Sequence, residues 1–271
     1  MIPLLRPCFL ACMVFLFTAQ SSFSQTDTDS TKRSDIVRFA DGVWYNVSSP
    51  VRWKKQGWAT AGLVILGDAA VSLADRPVNR FWAGVQKTPT LDAINDFGNW
   101  YGLAPASALI TGGFYLSGLA FKNQWARETG LILGTALVTS SMFHTALKPL
   151  VGRARPVAGD GHYAFHPLSG DDHYHSFPSG HTIMAFTISF VLARRVKSVP
   201  LKIFFYSLST ATAFCRLYSN AHWISDVAMG ATTAWFSTDG AIRRLSRNKY
   251  RKTSLAVIPG IGNITLRLAI R

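Results

Sequence analysis

Two residues in the second half of the chain have the types and the spacing that hydrolytic chemistry needs. His222 precedes Asp226 by four residues, so on a helix both side chains would share one face. A carboxylate that binds one ring nitrogen of a histidine fixes the tautomer and leaves the other nitrogen available as a nucleophile. A structural histidine with an acid nearby would have the same spacing, so the pair alone does not decide between the two roles.

A second segment, Pro178-Ser179-Gly180-His181, stands directly before an apolar stretch and predicts the start of a helix. Ser179 is a suitable N-cap residue, and the backbone N–H groups of a first helical turn bind anions. Gly180 permits close approach to the backbone, and His181 at the mouth of such a site could protonate a leaving oxygen. An ordinary capped helix is the competing interpretation.

A cationic segment precedes that helix start. Lys148, Arg153 and Arg155 lie within eight residues, and Pro149 and Gly152 between them predict backbone that is not regular helix. Arginine forks bind phosphate oxygens in pairs, while lysine adds a point charge. Basic side chains at a membrane edge form similar groups when they extend towards water. The segment is therefore consistent with an anion site and with a membrane boundary.

Six apolar stretches would position these groups. Their composition predicts helices rather than strands, and they comprise 58–74, 101–121, 128–147, 181–197, 200–217 and 226–243. If they span a membrane, the three groups above meet at one end of the bundle. We predict an all-α bundle of about six core helices that spans a membrane. A soluble bundle is the alternative, because several stretches have only the minimum spanning length and Asp68 and Asp239 interrupt two of them.

The composition supports a membrane or anionic partner. The 271 residues are 48% hydrophobic and 15% charged, and 28 Lys+Arg against 14 Asp+Glu give a net charge of +14. Such an excess favours nucleic acid, an anionic membrane surface or an anionic substrate. The basic residues flank apolar runs and no nucleic-acid-binding module is apparent, so we expect no nucleic-acid partner. The sequence leaves the oligomeric state open.

Four segments make up the predicted domain organisation. Residues 1–24 have the pattern of a signal peptide or N-terminal anchor, and 25–56 that of a polar linker and membrane-proximal segment. The helical domain occupies 57–245. The basic tail 246–271 contains an alternating stretch that predicts a strand, with residues 255–258 as its hairpin partner.

The motifs together resemble the type-2 phosphatidic acid phosphatase superfamily, which includes membrane lipid phosphatases, bacterial class A acid phosphatases and vanadium haloperoxidases. The resemblance covers roughly 100–243 and rests on Lys-x6-Arg-Pro, Pro-Ser-Gly-His and Arg-x5-His-x3-Asp, the last beginning at Arg216. The inner Gly152-Arg153 is similar to the lipid-phosphatase branch. Cys215 departs from the family, which usually has serine before the motif arginine, and we expect it to lie behind the site.

The resemblance implies a role for each motif residue. The groups expected to hold phosphate are Lys148, Arg155, Ser179, Gly180 and Arg216. His222 would attack phosphorus, Asp226 would orient its ring and His181 would protonate the leaving group, after which water would hydrolyse the phosphohistidine. This chemistry needs neither a metal nor a cofactor. The histidines and acids of 160–175 match no standard zinc spacing, so we expect that loop to shape the entrance.

The expected function is hydrolysis of a phosphate monoester or pyrophosphate of a lipid, such as phosphatidic acid, polyprenyl pyrophosphate or lipid A. The alternatives are a soluble periplasmic acid phosphatase and a non-catalytic membrane protein that retains the motifs. Basic residues concentrate in 194–202 and 243–252, which predicts a bacterial inner-membrane protein whose site faces the periplasm. A cleaved signal followed by six spans would place the site on the other side, so the number of spans stays open.

Overall fold

The computed structural model describes residues 34–246 and the two strands β1 (Thr253–Gly260) and β2 (Asn263–Ile270). The predicted signal or anchor at 1–24 lies outside the described residues. Within 34–246 the α-helices are α1 (Asp35–Val47), α2 (Lys55–Ser72), α3 (Asp75–Gly84), α4 (Pro89–Tyr101), α5 (Ala104–Ala120), α6 (Gln124–Val151), α7 (Gly180–Arg195), α8 (Val199–Tyr218) and α9 (Ile224–Leu245). Three 3₁₀ helices accompany them, at Ser49–Arg52, Pro156–Ala158 and Asp172–Tyr174.

The all-α prediction is confirmed, and the six predicted stretches correspond to α2 and α5 to α9 with ends displaced by at most four residues. The main core lies where α5, α6, α7 and α8 meet, and it includes the fully buried Phe114, Leu133, Ile188 and Phe205. Burial of these large apolar side chains stabilises the bundle by roughly 1.5–3 kcal/mol each. The packing of these four helices keeps the ends of α6, α7 and α8 at fixed positions relative to one another.

Two glycines set the distance between α5 and α6. A Cβ on Gly118 would lie 2.2 Å from the backbone nitrogen of Arg127, and one on Gly130 would lie 2.6 Å from that of Tyr115. Either substitution would push the helices apart. Gly112 and Gly113, also on α5, face open space instead.

The segment 25–56, predicted to be a polar linker and membrane-proximal segment, contains α1 in its described part, and α1 packs against α6 and α9. Apolar residues recur along α1 with a helical period, but Ile36 and Trp44 are exposed. The buried residues are Asp35, Gly42 and Asn46. The apolar stripe therefore does not mark the face that packs into the bundle. The Asn46 side chain donates a hydrogen bond to the carbonyl of Ser237 at 3.0 Å, which joins α1 to α9. The short helices α3 and α4 were not predicted either.

The cationic segment is more helical than predicted. The helix α6 continues through Pro149 to Val151 and ends at Gly152, which has φ +59° and whose N–H donates to the carbonyl of Lys148 at 2.9 Å. A proline in the last turn removes one hydrogen bond without ending the helix. A Cβ on Gly152 would lie 2.0 Å from the carbonyl oxygen of His166, so the turn requires glycine.

The tail forms the predicted hairpin. The strands β1 and β2 pair antiparallel, from Thr253 opposite Ile270 to Gly260 opposite Asn263. Among the described residues, α6 is the single helix that is long and apolar enough to cross a membrane. Two bent pairs, α2 with α3 and α4 with α5, raise the number to three if each pair counts as one span.

Candidate active site

The pair of His222 and Asp226 is buried at the start of α9. His222 lies in the turn before the helix, and its Nδ1 is 3.6 Å from Asp226 Oδ2. The same carboxylate oxygen accepts a hydrogen bond from the backbone N–H of Trp223 at 2.9 Å. Asp226 therefore caps the first turn of α9, and the cap fixes the carboxylate beneath the imidazole.

Ser176 completes the polar surroundings of that carboxylate. Its hydroxyl donates to Asp226 Oδ2 at 2.5 Å and lies 3.5 Å from His222 Nδ1. The Ser176 side chain is fully buried. The Asp226 carboxylate and the Ser176 hydroxyl thus lie together on the Nδ1 side of the imidazole, and the main chain holds both groups in place.

The opposite ring nitrogen of His222 faces cations. Arg155 Nη1 lies 3.4 Å from His222 Nε2 and also donates to the carbonyl of Ala221. Arg216, at the end of α8, donates from Nη2 to Asn99 Oδ1 at 2.7 Å and to Cys215 Sγ at 2.8 Å. Cys215 is buried behind the site, where its sulfur orients the guanidinium.

The start of α7 forms another wall. Ser179 occupies the N-cap position, but its hydroxyl accepts from Thr182 Oγ1 at 2.9 Å instead of capping a backbone N–H as predicted. The Ser179 N–H donates to the carbonyl of Asp226 at 3.0 Å, which ties α7 to α9. A Cβ on Gly180 would lie 2.7 Å from Nε2 of His144, so glycine is needed where this ring meets the helix start.

Several polar groups at this place have no partner within the described residues. The buried atoms concerned are Nε2 of His144, Nε2 of His181 and Nε of Arg216. The cations and rings within electrostatic range of His181 are Lys148, Arg155, Arg216 and His222. Unpaired buried polar atoms are costly and uncommon, so their convergence on one space indicates a site built for a polar ligand.

Burial lowers the pKa of the His222 imidazole below its usual value, and the charges of Arg155 and Arg216 act in the same direction, while Asp226 opposes them. The ring is therefore neutral at neutral pH. A neutral imidazole with one nitrogen directed at two guanidinium groups can attack an electrophile that those groups hold.

Arg153 points away from this space, unlike the other two cations of its segment. Its guanidinium donates to Asp226 at 2.7 Å and to Asp75 at 2.5 Å, and it is 3% exposed. Arg155 remains on the side of His222 Nε2, and Lys148 lies within electrostatic range of Arg155. Arg153 is instead a buried ion-pair partner.

The loop 157–175 reaches the site through Asp172, whose carboxylate accepts from Arg155 Nη2 at 3.1 Å. Its neighbour Asp171 instead binds the ring of His173 at 2.9 Å. Within the described residues no three His, Cys, Asp or Glu side chains are close enough together to hold a metal ion.

Sequence reasoning missed four residues that the fold brings to this site: Asp75, Asn99, His144 and Ser176. Asp75 and Asn99 belong to the unpredicted helices α3 and α4, far from the motifs in the chain. The position of His144, four residues before Lys148, does carry a signal, because side chains at that spacing share one face of α6. Ser176 lies three residues before Ser179, in a loop whose path only the fold determines.

The comparisons with known proteins agree with this geometry. The model of the PAP2 superfamily matches residues 129–250. A lipid A 1-phosphatase of Rhizobium etli is 31% identical over 209 residues, which cover 71% of this chain and 85% of that protein. One of Rhizobium johnstonii is 30% identical over 205 residues, covering 71% and 81%.

A solved structure shares the fold. The crystal structure of a transmembrane PAP2-type phosphatidylglycerolphosphate phosphatase from Bacillus subtilis has a TM-score of 0.50 at 17% identity, covering 80% of this chain and 98% of that one. With its motifs at one end of the bundle and a relative above 30% identity over most of its length, the chain belongs to the PAP2 superfamily.

Proposed function

We propose that this chain is a lipid phosphatase that acts through a phosphohistidine on His222 and needs no metal. The observation that carries the proposal is the position of the His222 ring between the Asp226 carboxylate and the Arg155 guanidinium. A nucleophile needs a base-like partner on one nitrogen and an electrophile held at the other, and this arrangement supplies both.

In the first step His222 Nε2 attacks phosphorus and the bond to the leaving oxygen breaks. Arg155, Arg216 and Lys148 bind the non-bridging oxygens, whose charge grows in the transition state. The Ser179 hydroxyl and the backbone N–H of Gly180 complete the cradle. His181 gives its proton to the leaving oxygen, which departs as an alcohol.

In the second step water attacks the phosphohistidine. His181, now neutral, accepts a proton from the water, and His222 leaves as the free imidazole while inorganic phosphate is released. Asp226 stabilises the positive charge on the ring between the two steps, because its carboxylate lies on the Nδ1 side.

A lipid substrate fits the surface of the bundle. The helix α2 buries none of its residues, and Leu63, Ile65 and Leu66 on it are 70%, 62% and 67% exposed. Apolar surface of this extent is normal for helices in lipid. The relatives are named lipid A 1-phosphatases, which makes a phosphorylated lipid of the lipid A type the first substrate to test.

The charge distribution supports an inner-membrane location with the site facing the periplasm. The basic ends of α7 and α9, with Arg194, Arg195, Arg243 and Arg244, lie at the end of the bundle opposite His222. Positive charge concentrates on the cytoplasmic side of membrane proteins.

The experiment is a phosphate-release assay with purified protein on lipid A, phosphatidic acid, polyprenyl pyrophosphate and p-nitrophenyl phosphate. We expect a phosphorylated lipid to give the highest kcat/KM, with inhibition by vanadate and full activity in EDTA. Loss of activity in EDTA would contradict the metal-independent mechanism. Fully active protein extracted without detergent, with no preference for lipids, would favour a soluble acid phosphatase. Undiminished release by His222→Ala would indicate that the motifs are not catalytic.

A further inference from the structure

The guanidinium of Arg153 has every one of its donors occupied. Its five hydrogen bonds go to Asp226 Oδ1, Ser225 Oγ, Asp75 Oδ2 and, twice, the carbonyl of His162. Arginine has five N–H donors in a fixed plane, so no donor remains for a phosphate. The side chain also lies 5.7 Å from the ring of Trp223, which adds a cation–π contact.

Asp75 is the other end of this connection. It is 0% exposed, at the first position of α3. Its Oδ1 accepts from the backbone N–H of Ser225 at 3.0 Å, and its Oδ2 accepts from the Ser225 hydroxyl at 2.8 Å and from Arg153. Asp75 thereby holds both the Arg153 fork and the first turn of α9, the turn that presents Asp226.

The charges of Asp75, Arg153 and Asp226 explain how this group affects the nucleophile, His222. Two buried carboxylates share one guanidinium, so the group of Asp75, Arg153 and Asp226 has a net charge of −1 beside the His222 ring. Buried charges interact strongly because the interior screens them little. A fork bound at both ends also holds Asp226 Oδ1 in one orientation, which leaves Oδ2 directed at the imidazole.

We infer that Asp75 and Arg153 are positioning residues for the catalytic pair, acting on His222 through Asp226. The inference rests on the proposed function, since it assumes that His222 is the nucleophile. Asp75 lies outside the residues 129–250 that the family model matches. Its carboxylate binds Arg153 and the first turn of α9, so α3 would contribute to the reaction without touching the substrate.

An Asp75→Asn variant removes one negative charge from the group and keeps its shape. The imidazolium form of His222 then loses stabilisation, so the acid limb of kcat/KM against pH moves to lower pH by about half a pH unit. We also expect kcat to fall about tenfold with little change in KM. The other charged or titratable groups around the His222 environment are unchanged in this variant: Asp68 from α2, His144 and Lys148 from α6, Arg155 and His175 from the following loop, His181 from α7, and Arg216 from α8.

Asp35→Asn is the matched control. Asp35 is also a buried acid at the first position of a helix and is paired with Arg127 and Arg38. It lies at the start of α1, which packs on α6 and α9 away from the catalytic turn. This control likewise removes the charge of a buried acid that is paired with arginine, although Arg127 is 39% exposed, and we expect it to leave the pH limb where it is.

Arg153→Lys provides a second test should Asp75→Asn fold poorly. Lysine keeps the buried charge but cannot bind Asp75 and Asp226 with a planar fork. We expect kcat to fall about tenfold while the acid limb moves less than in Asp75→Asn. The inference would be overturned if Asp75→Asn left the acid limb unchanged and had the same kcat per folded enzyme as Asp35→Asn. A wild-type kcat in Arg153→Lys would overturn it as well.

The two proposals fail differently. If the wild type releases phosphate and His222→Ala does not, the proposed function stands and the variants above decide the positioning role. If His222→Ala is as active as the wild type, or the wild type releases no phosphate from any substrate of the assay, both proposals are wrong.

Discussion

The two sides of the His222 ring differ in how completely their polar groups are paired. On the Asp226 side, the carboxylate and the Arg153 guanidinium bind partners at every donor or oxygen. On the Arg155 side, buried nitrogens of Arg216 and His181 lack partners within the described residues. Since both sides are buried and charged, burial alone does not identify a functional group.

The difference indicates a division of labour. Fully paired buried charges hold one another in place, whereas unpaired ones are costly unless a ligand binds them. We propose that the paired side fixes the nucleophile and that the unpaired side binds substrate. Substitutions on the paired side should then lower stability first with smaller losses of activity, and substitutions on the unpaired side should lower activity first.

Removal of the ring between the two sides has the largest expected effect. His222→Ala should lower kcat by about 10⁴-fold or more, because the remaining groups bind phosphate without a nucleophile. The phosphate-release assay measures the loss. The unfolding midpoint in detergent should change little, and a variant that retains a tenth of wild-type activity would contradict the role of His222.

On the unpaired side, Arg216→Ala should lower kcat/KM by about 10²–10³-fold, since one donor to the growing phosphoryl charge is lost. Its Nε has no partner within the described residues, so the midpoint of unfolding should stay near that of the wild type. A large drop in the midpoint with normal activity would reverse the assignment of this side.

His181→Ala tests the leaving-group role on the same side. We expect a loss of about 10²–10⁴-fold on lipid phosphates, whose alkoxide leaving groups need a proton. The loss on p-nitrophenyl phosphate should be much smaller, because nitrophenolate leaves without one. Equal losses on both substrates would exclude His181 as the general acid.

On the paired side, Arg153→Met should act first on stability. It leaves Asp75 and Asp226 buried without their shared cation, which costs about 3–5 kcal/mol of unfolding free energy. Chemical or thermal unfolding of Arg153→Met beside Arg216→Ala measures the contrast. If Arg216→Ala proves the less stable of the two, the comparison between the sides is wrong.

The pH dependence follows from the lowered pKa of His222. The nucleophile must be neutral, so kcat/KM should stay high as pH falls to about 6.5, the usual histidine value, and decline only below it. Folding favours the neutral ring, so this group's contribution to stability is also present above that pH and lost as pH falls further. An acid limb above pH 7 would contradict a buried neutral nucleophile.

The smallest effect is expected at the entrance. Asp172, which is 78% exposed, pairs with Arg155 and would compete with a bound phosphate for it, so Asp172→Asn should lower KM on the order of two- to five-fold with kcat unchanged. Asp171→Asn is the matched control, because Asp171 binds His173 instead. If both variants had the same KM, Asp172 would not compete with phosphate for Arg155.

The sequence predicts the substrate side of the site better than the side behind it. Four residues of the substrate side lie in sequence motifs: Lys148, Arg155, Gly180 and Arg216. Each motif lies at the end of a long apolar helix, so the pattern of helices in the sequence already indicates that the motifs meet at one end of the bundle. Nothing in the sequence around Asp75 predicts that it belongs to the site. It lies in a short helix that mixes polar and apolar residues, and its partner Arg153 is 78 residues away in the chain.

The same physical reason explains the errors in the fold. The helices α5 to α9 are recognised by long apolar runs, whereas α1 buries Asp35, Gly42 and Asn46. Polar and small residues at an interface have no hydrophobic period, so packing of this kind is visible only in three dimensions.

Direct detection of the covalent intermediate tests the central claim most directly. Protein mixed with a ³²P-labelled lipid phosphate and quenched within milliseconds should carry acid-labile, base-stable phosphate on His222, identified by mass spectrometry of the peptide that contains it. The label should form in EDTA and be absent from His222→Ala. Turnover in the wild type without label, or label that persists in His222→Ala, would contradict the account.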